Sequence, residues 1–439
     1  MRLADQVRRT LAASPSVRPL TTVDDEPARR SRLAQLRQEL ERINQRYRES
    51  SGSRLPVASP WPAASLPPLP DPIDAEGELY RHCFPPGHAF GQVCIDTPPE
   101  ALSRVERLLR IEASWTASAP LRASDLLFLD IETTGLSRSA GTLAVVIGVG
   151  RYVGTADGAT HLEVDQLLLR DPGREAPILE RLQRYLAQAR ALVTFNGRGF
   201  DVPVLRNRAV LCRTPLALDS PHLDLLPVCR RLFRPRLLNC RLGTLEQQLL
   251  RFHRHGDLDG AEVPRIYADY LRTGRTEELG WVLEHNRLDV AVLAALLVRV
   301  SLHVVEPLQW AEDAEELLAT GRLHLLHGDV TLGRACLERG LELTRRHTTR
   351  RRLLAQLASH HRRSGELARA RELWERCRVE FPEENAPWVE LAKYHEHVSK
   401  DLGQALALAE QAPHQSSDEH QRRLERLRRR LVRGRSVPQ

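Results

Sequence analysis

Two carboxylates, Asp130 and Glu132, stand two positions apart at the end of an apolar run in LLFLDIETTGL, residues 126–136. Leu126, Leu127, Phe128 and Leu129 in a row predict a strand buried on both faces. The two-residue period of a strand then puts Asp130 and Glu132 on one side, with Ile131 turned away. Carboxylates side by side repel, and burying them unpaired is costly. A divalent cation resolves that, and hard oxygen ligands suit Mg²⁺ or Mn²⁺. Solvation or a partner arginine is the structural alternative. Thr133, Thr134 and Gly135 end the strand in a tight turn, where a nucleic-acid backbone has room to approach closely.

A second stretch, LVTFNGRGFDVPVL, repeats the pattern of strand, turn and acid. Residues 191–195 predict a strand, Asn196 and Gly197 break it, and Asp201 opens a helix over 202–211. Asp201 is either a third carboxylate at a strand end or a helix cap. Asn196 either contacts a substrate or only shapes the turn. A third stretch, EHNRLDVAVLAALLVRV, lies in a helix over 279–300. His285 and Asp289 are i and i+4, about 40° apart around the axis, so they share a face. From Val290 onward the helix is almost purely apolar, so the Asp at its head needs a cap, a salt bridge or a metal. Asp224, followed by Pro227, reads as a helix N-terminus, and Arg236 and Arg241 as phosphate contacts or surface charges.

These residues need a scaffold, and the pattern around them predicts one. Residues 143–153 and 161–169 are apolar and β-branched, and with 126–136 they read as an antiparallel meander. A further strand is expected over 91–95, with helices over 99–112 and 177–189. Hairpin-linked strands followed by strand–helix alternation make an α/β layer fold. Residues 1–78 read as a largely disordered tail, dense in Pro and Ser over 55–72, with one amphipathic helix over 31–49. From 306 onward Leu332, Leu367 and Leu402 recur every 35 residues, as do Ala335, Ala370 and Ala405. That period resembles tetratricopeptide repeats, whose unit is about 34 residues, and predicts stacked helix pairs. The end, RRLERLRRRLVRGR, is strongly basic: a solvated cap helix or a nucleic-acid contact.

Composition bounds the partners. The chain has 439 residues and a net charge of +7, and Lys occurs only at 393 and 400. Arg binds phosphate bidentately, which suits nucleic acid, unless the bias is genome-wide. Seven Cys without a C-x-x-C pair argue against a disulfide framework or a zinc site. The N-terminus lacks a signal-peptide core, and no run approaches about 18 apolar residues. A cytoplasmic protein with no membrane partner is the expectation.

Taken together, DIETTGL, NGRGFD and HNRLD resemble the motifs of the DEDD exonuclease superfamily, which has a ribonuclease-H-like fold. Within it, residues 78–305 look most like the YprB-type ribonuclease-H-like proteins, with the HLDLL and CRLGTLE segments included. The resemblance implies a mixed sheet flanked by helices over 79–305; the tail and the all-α helical-repeat domain expected over 306–439 lie outside it. It implies that Asp130, Glu132, Asp201 and Asp289 hold two Mg²⁺ or Mn²⁺ ions. Ions about 3.5–4 Å apart clamp attacking water and leaving group in a phosphodiester hydrolysis. Asp130 would bridge both, with Glu132 and Asp289 on one and Asp201 on the other. The implied reaction is 3′→5′ exonuclease cleavage of single-stranded DNA or RNA. The known subfamilies carry His five residues before the last Asp, or Tyr four before it. This chain has His at the Tyr spacing. His285 is therefore either the base that deprotonates water or a surface His bonded to a neighbouring acid. Phe200 either packs under the terminal base or belongs to the core. The competing class is a catalytically weak nucleic-acid-binding scaffold that recruits a protein partner through its repeats.

Overall fold

The computed structural model describes residues 69–96, 99–116, 119–135, 137, 141–154, 160–254, 256–413 and 418–435. The amphipathic helix expected over 31–49 lies outside them. The central element is a six-stranded sheet in the order β1-β6-β5-β4-β7-β8. Its strands are β1 (Leu79–Phe84), β4 (Leu126–Thr133), β5 (Ala144–Gly154), β6 (Thr160–Leu168), β7 (Ala191–Thr194) and β8 (His222–Asp224). The meander β4-β5-β6 is antiparallel as expected, and β7 and β8 add in parallel to β4. β1, which the sequence did not signal, pairs antiparallel with β6 as the edge strand. The strand expected over 91–95 is instead half of a short hairpin, β2 (Ala89–Phe90) with β3 (Val93–Cys94).

The apolar run in β4 divides by the strand period. Leu126 and Phe128 enter one hydrophobic core, and Leu127, Leu129 and Ile131 enter the other. Four helices follow the pattern of the sequence: α1 (Pro99–Glu112), α2 (Glu175–Leu186), α3 (Asp201–Cys212) and α4 (Leu225–Phe233). After a helical turn at Leu242–Leu245 and a wider one at Glu246–Leu250 come α5 (Val263–Thr273) and α6 (Leu279–Val305).

α6 is the core helix. By length and composition it could cross a membrane, contrary to the expectation that no run is long enough, but 78% of its apolar window is buried inside the fold. It lies on β5, where two glycines make room. A Cβ on Gly148 would meet Asn286 Oδ1 at 2.3 Å and Val290 Cγ2 at 2.7 Å, and one on Gly150 would meet Val290 Cγ1 at 2.8 Å.

The C-terminal part is all helical: α7 (Ala314–Leu326), α8 (Val330–Leu343), α9 (His347–Arg363), α10 (Leu367–Glu380), α11 (Asn385–His397), α12 (Leu402–Gln411) and α13 (Asp418–Arg435). The turn before every second helix recurs at spacings of 37 and 35 residues, so the strict 35-residue period of the sequence slips by two at its first step. Gly328, Gly365 and Lys400 each adopt a positive φ (84°, 77° and 60°) before α8, α10 and α12. Asp329 and Asp401 then cap their helices by accepting from Leu332 N and Gln404 N. On α13, Arg426 and Arg430 both bind the buried Glu396, so two arginines of the basic end serve to hold the last helix on the stack.

The first repeat helix is built into the α/β body. Leu323 of α7 belongs to the body's core cluster. Arg236 pairs with Glu316, whose side chain is fully buried, and with Glu312. Its role is thus an ion pair between the two parts, neither of the roles expected for it. His303 near the end of α6 bonds Thr320 Oγ1 at 2.9 Å, and burial pushes its pKa down to about 3, so it stays neutral.

Candidate active site

β4 delivers Asp130 and Glu132 to the face covered by α6. Opposite Asp130 on β5 stands Gly148, and beyond it on β6 stands Gln166. The space left by Gly148 holds the side chain of Asn286, which is fully buried. Asn286 Nδ2 donates to Asp130 Oδ2 at 2.9 Å. Its Oδ1 accepts from Gln166 Nε2 at 2.9 Å, and the same Nε2 donates to the Leu283 carbonyl at 2.7 Å. The Gln166 amide therefore fixes which end of Asn286 faces Asp130, and that end is a donor. A donor there favours the ionised carboxylate.

Asp201 reaches β4 from the other side. β7 pairs with β4 only as far as Phe128 and then stops, because Asn196 turns the chain with a φ of 65°. Beyond that point the Ile131 amide donates to Asp201 Oδ1 at 3.1 Å. Asp201 is the first residue of α3, and its side chain does not cap that helix. The turn that carries it is held by Asp224, which accepts from Asn196 N (2.7 Å), Arg198 N (3.1 Å) and Leu226 N (3.1 Å). Asp224 thus has the helix-terminal role expected of it. Asn196 shapes the turn with its backbone while its side chain is exposed, and Phe200 is half-buried against the core.

α6 brings the third side. His285 Nδ1 bonds Asp257 Oδ1 at 2.7 Å, so its Nε2 faces inward, 3.8 Å from Glu132 Oε1 and 3.7 Å from Asp289 Oδ2. Asp289 Oδ1 lies 2.6 Å from Arg254 Nη2. Arg254 is nearly buried and also binds Glu246 and Asp257. The structure therefore gathers Asp130, Glu132, Asp201, His285 and Asp289 at one place. It adds Asn286, Arg254 and Asp257, to which the sequence gave no role. Gly148 and Gly150 inside a strand were the available signal for a close helix approach. The loop carrying Arg254 and Asp257 offered no signal.

Two substrate expectations need correction. Thr134 is fully buried, and its hydroxyl accepts from Leu143 N at 3.0 Å. Thr133 is buried too, and its hydroxyl donates to the Gly135 carbonyl at 2.8 Å. Both side chains are committed to the turn, because a strand that ends in a register shift needs its loose backbone groups satisfied. Gly135 is the accessible member, with open space where a Cβ would be.

The electrostatics of the cluster are those of excess buried negative charge. Burial, then Asp289, Asp201 and Glu132, push Asp130 well above the usual carboxylate range. Burial raises Glu132 to about 8, against the pull of His285. Burial raises Asp201 to about 7, partly offset by its backbone hydrogen bonds. Burial disfavours charge on His285, but Asp289, Asp257 and Glu132 outweigh it and lift the imidazole to about 10. Such a cluster fits a divalent cation, since the carboxylates outnumber the one guanidinium and one imidazole beside them. Glu132, His285 and Asp289 each place a ligand atom within 4.8 Å of the other two. The imidazole thus lies within reach of any ion that Glu132 and Asp289 could hold.

A mixed sheet of this order, with carboxylates at the end of its central strand, defines a ribonuclease-H-like domain. Residues 127–301 match the family model RNase_H_2 of the RNase_H superfamily. The chain is also 30% identical over 322 residues to a Bacillus subtilis (strain 168) protein named "Uncharacterized protein YprB", an alignment covering 71% of this chain and 74% of that one. The chain belongs to the YprB family. The alignment is longer than the span 78–305, so the similarity is not confined to the α/β body as the sequence reading had it. The fold supports a nuclease, and with it nucleic-acid binding and use of divalent metal.

Proposed function

We propose that the chain is a metal-dependent nuclease that hydrolyses phosphodiester bonds of DNA or RNA as a 3′→5′ exonuclease on single strands. The observation that carries this reading is the convergence of Asp130, Glu132, Asp201 and Asp289 from three separate elements. Two Mg²⁺ or Mn²⁺ ions held by these carboxylates would supply charge compensation for the phosphate and a more acidic water. The chain's own groups do the positioning. Asn286 and the Ile131 amide orient Asp130 and Asp201. Asp257 holds His285 by Nδ1, so that Nε2 is the atom presented for proton transfer. Gly135 leaves the turn open to a strand backbone.

The test is digestion of end-labelled single strands and closed circles of DNA and of RNA by the full chain with Mn²⁺, beside Asp130→Asn. Stepwise shortening from the 3′ end, absent in the variant, is the expected result. Cleavage of circles replaces the exonuclease part of the reading, and no cleavage of any substrate removes the enzyme.

One observation favours a second reading, a catalytically weak scaffold whose repeats take a protein partner. Arg254 and His285 already offset part of the buried charge without a metal. The groove along α9, lined by Arg322 of α7, Arg352 and Arg362 of α9 and Trp374 of α10, is where such a partner would sit. Titration with Mn²⁺ separates the readings, since a scaffold of this kind gains no stability from it.

A further inference from the structure

A second cluster lies on the other face of the sheet. Asp130, Gly148, Gln166 and Tyr80 share one register line. Cys83 and Glu163 are direct cross-strand partners on β1 and β6, three positions along and one face over. His161 precedes Glu163 by two and so shares its face. Cys83 Sγ, a His161 ring nitrogen and a Glu163 carboxylate oxygen all lie within 4.8 Å of one another. Three donors of different type converge on one point of the edge strand.

The surroundings fix one donor and leave two adjustable. Glu163 is 6% exposed, and its Oε1 meets both Arg151 and Arg81, the latter at 3.3 Å. Both guanidiniums meet the same oxygen, which leaves Oε2 as the second donor. Arg81 is itself clamped on Asp165 through Nε at 2.6 Å and Nη2 at 2.8 Å, so its charge is offset. The side chains of Cys83 and His161 have no hydrogen-bond or ion-pair partner among the described residues, and Cys83 is exposed. Donors on one zinc ion sit about 2.0–2.3 Å from it, so these atoms must close in by roughly an ångström. Rotation of two unpartnered side chains supplies that.

We propose that Cys83, His161 and Glu163 form a binding site for a thiophilic divalent cation, Zn²⁺ by its donor chemistry, that clips β1 to β6. One sulfur, one imidazole nitrogen and one carboxylate oxygen is a zinc donor set, completed by water at the exposed side. The Cys83 thiol loses its proton to solvent on binding. β1 is an edge strand with a neighbour on one side only, so a cross-strand metal bond adds a tie where no second strand can.

The experiment uses Co²⁺ as the probe on the full, reduced chain. The carboxylate centre contains no sulfur, so a thiolate-to-cobalt charge-transfer band that depends on Cys83 reports this cluster, apart from the other accessible thiols Cys94 and Cys212, and is independent of the nuclease reading. One equivalent is expected to give the band, Zn²⁺ to bleach it, Cys83→Ser to abolish it and His161→Ala to weaken it. The absence of a band in the native chain, or the same band in Cys83→Ser, overturns the site. With saturating Mg²⁺ present, Zn²⁺ should raise the melting temperature of the native chain but not of Cys83→Ser. Equal shifts in both overturn the clip.

Discussion

The amide of Ile131 donates to Asp201 Oδ1 across 3.1 Å, and Ile131 stands between Asp130 and Glu132. One hydrogen bond therefore ties the third carboxylate to the strand that carries the first two. It exists because β7 stops short of the end of β4 and leaves that amide without a strand partner. The short strand β7 thus opens the site, and β4 supplies the donor that closes it.

Asp130→Asn should abolish hydrolysis, with turnover down roughly 100-fold or more, as for loss of one charge-stabilising group. Without metal its melting temperature should hold or rise, because one repelling charge is gone. Rate assays with Mg²⁺ and Mn²⁺ beside thermal melts check this, and near-normal turnover sinks the metal assignment.

The pH dependence of stability follows from the same charges. Glu132, at about 8 when folded, keeps a proton that the unfolded chain loses above the usual carboxylate value. Its contribution to stability therefore declines as pH rises from about 4.5 toward 8. His285, at about 10 when folded, contributes stability that is full below about 6.5 and is lost as pH rises through 10. The metal-free chain should melt lower at pH 8 than at pH 5, and Mg²⁺ or Mn²⁺ should flatten that slope. Melts across pH with and without metal decide, and a metal-insensitive slope contradicts the reading.

His285→Ala should lower turnover strongly if Nε2 handles the proton, and Asp257→Asn should lower it less by loosening the ring. The paired pH–rate curves at fixed Mn²⁺ are the measurement. An unchanged rate and profile in His285→Ala removes the imidazole from the mechanism.

Gly148→Ala should cost about 1–3 kcal/mol and displace Asn286 from Asp130, because the new methyl meets Asn286 Oδ1 at 2.3 Å. Gly154→Ala, with open space at its Cβ, is the control and should be neutral. Melting and turnover of the pair are compared, and equal behaviour means that the close approach of α6 does not matter.

A chain ending after Val305 should fold poorly, whereas one ending after Leu343 should keep a cooperative melt. The first cut removes Leu323 from the core and leaves Arg236 without Glu316. The sequence places all four acids before a domain boundary at 305, which alone would predict that cleavage survives removal of the repeats. Soluble yield and melting of the two truncations test the revised boundary.

The acids were legible because each is announced locally: a buried run ending in D-x-E, a broken strand before Asp201, a polar head on an apolar helix. The groups that serve them were not. Arg254 is one Arg among many until folding sets it against Glu246, Asp257 and Asp289. β1 was missed because LYRHCF has neither an apolar run nor clean alternation, and its place depends on β6. The seating of α7 was missed because a repeat period describes how helices stack on each other, and says nothing about what the first one rests on.

α6 carries Asp289 at its eleventh residue and His303 near its C-terminal end, the second joined to Thr320 of the repeats. They are fourteen positions apart, with no Gly or Pro between them to act as a joint. At about 1.5 Å per residue that is a stiff rod of roughly 21 Å. The helix that positions Asp289 is thus the same rigid element that the first repeat helix grips through Thr320. The two halves of the chain share a single mechanical member.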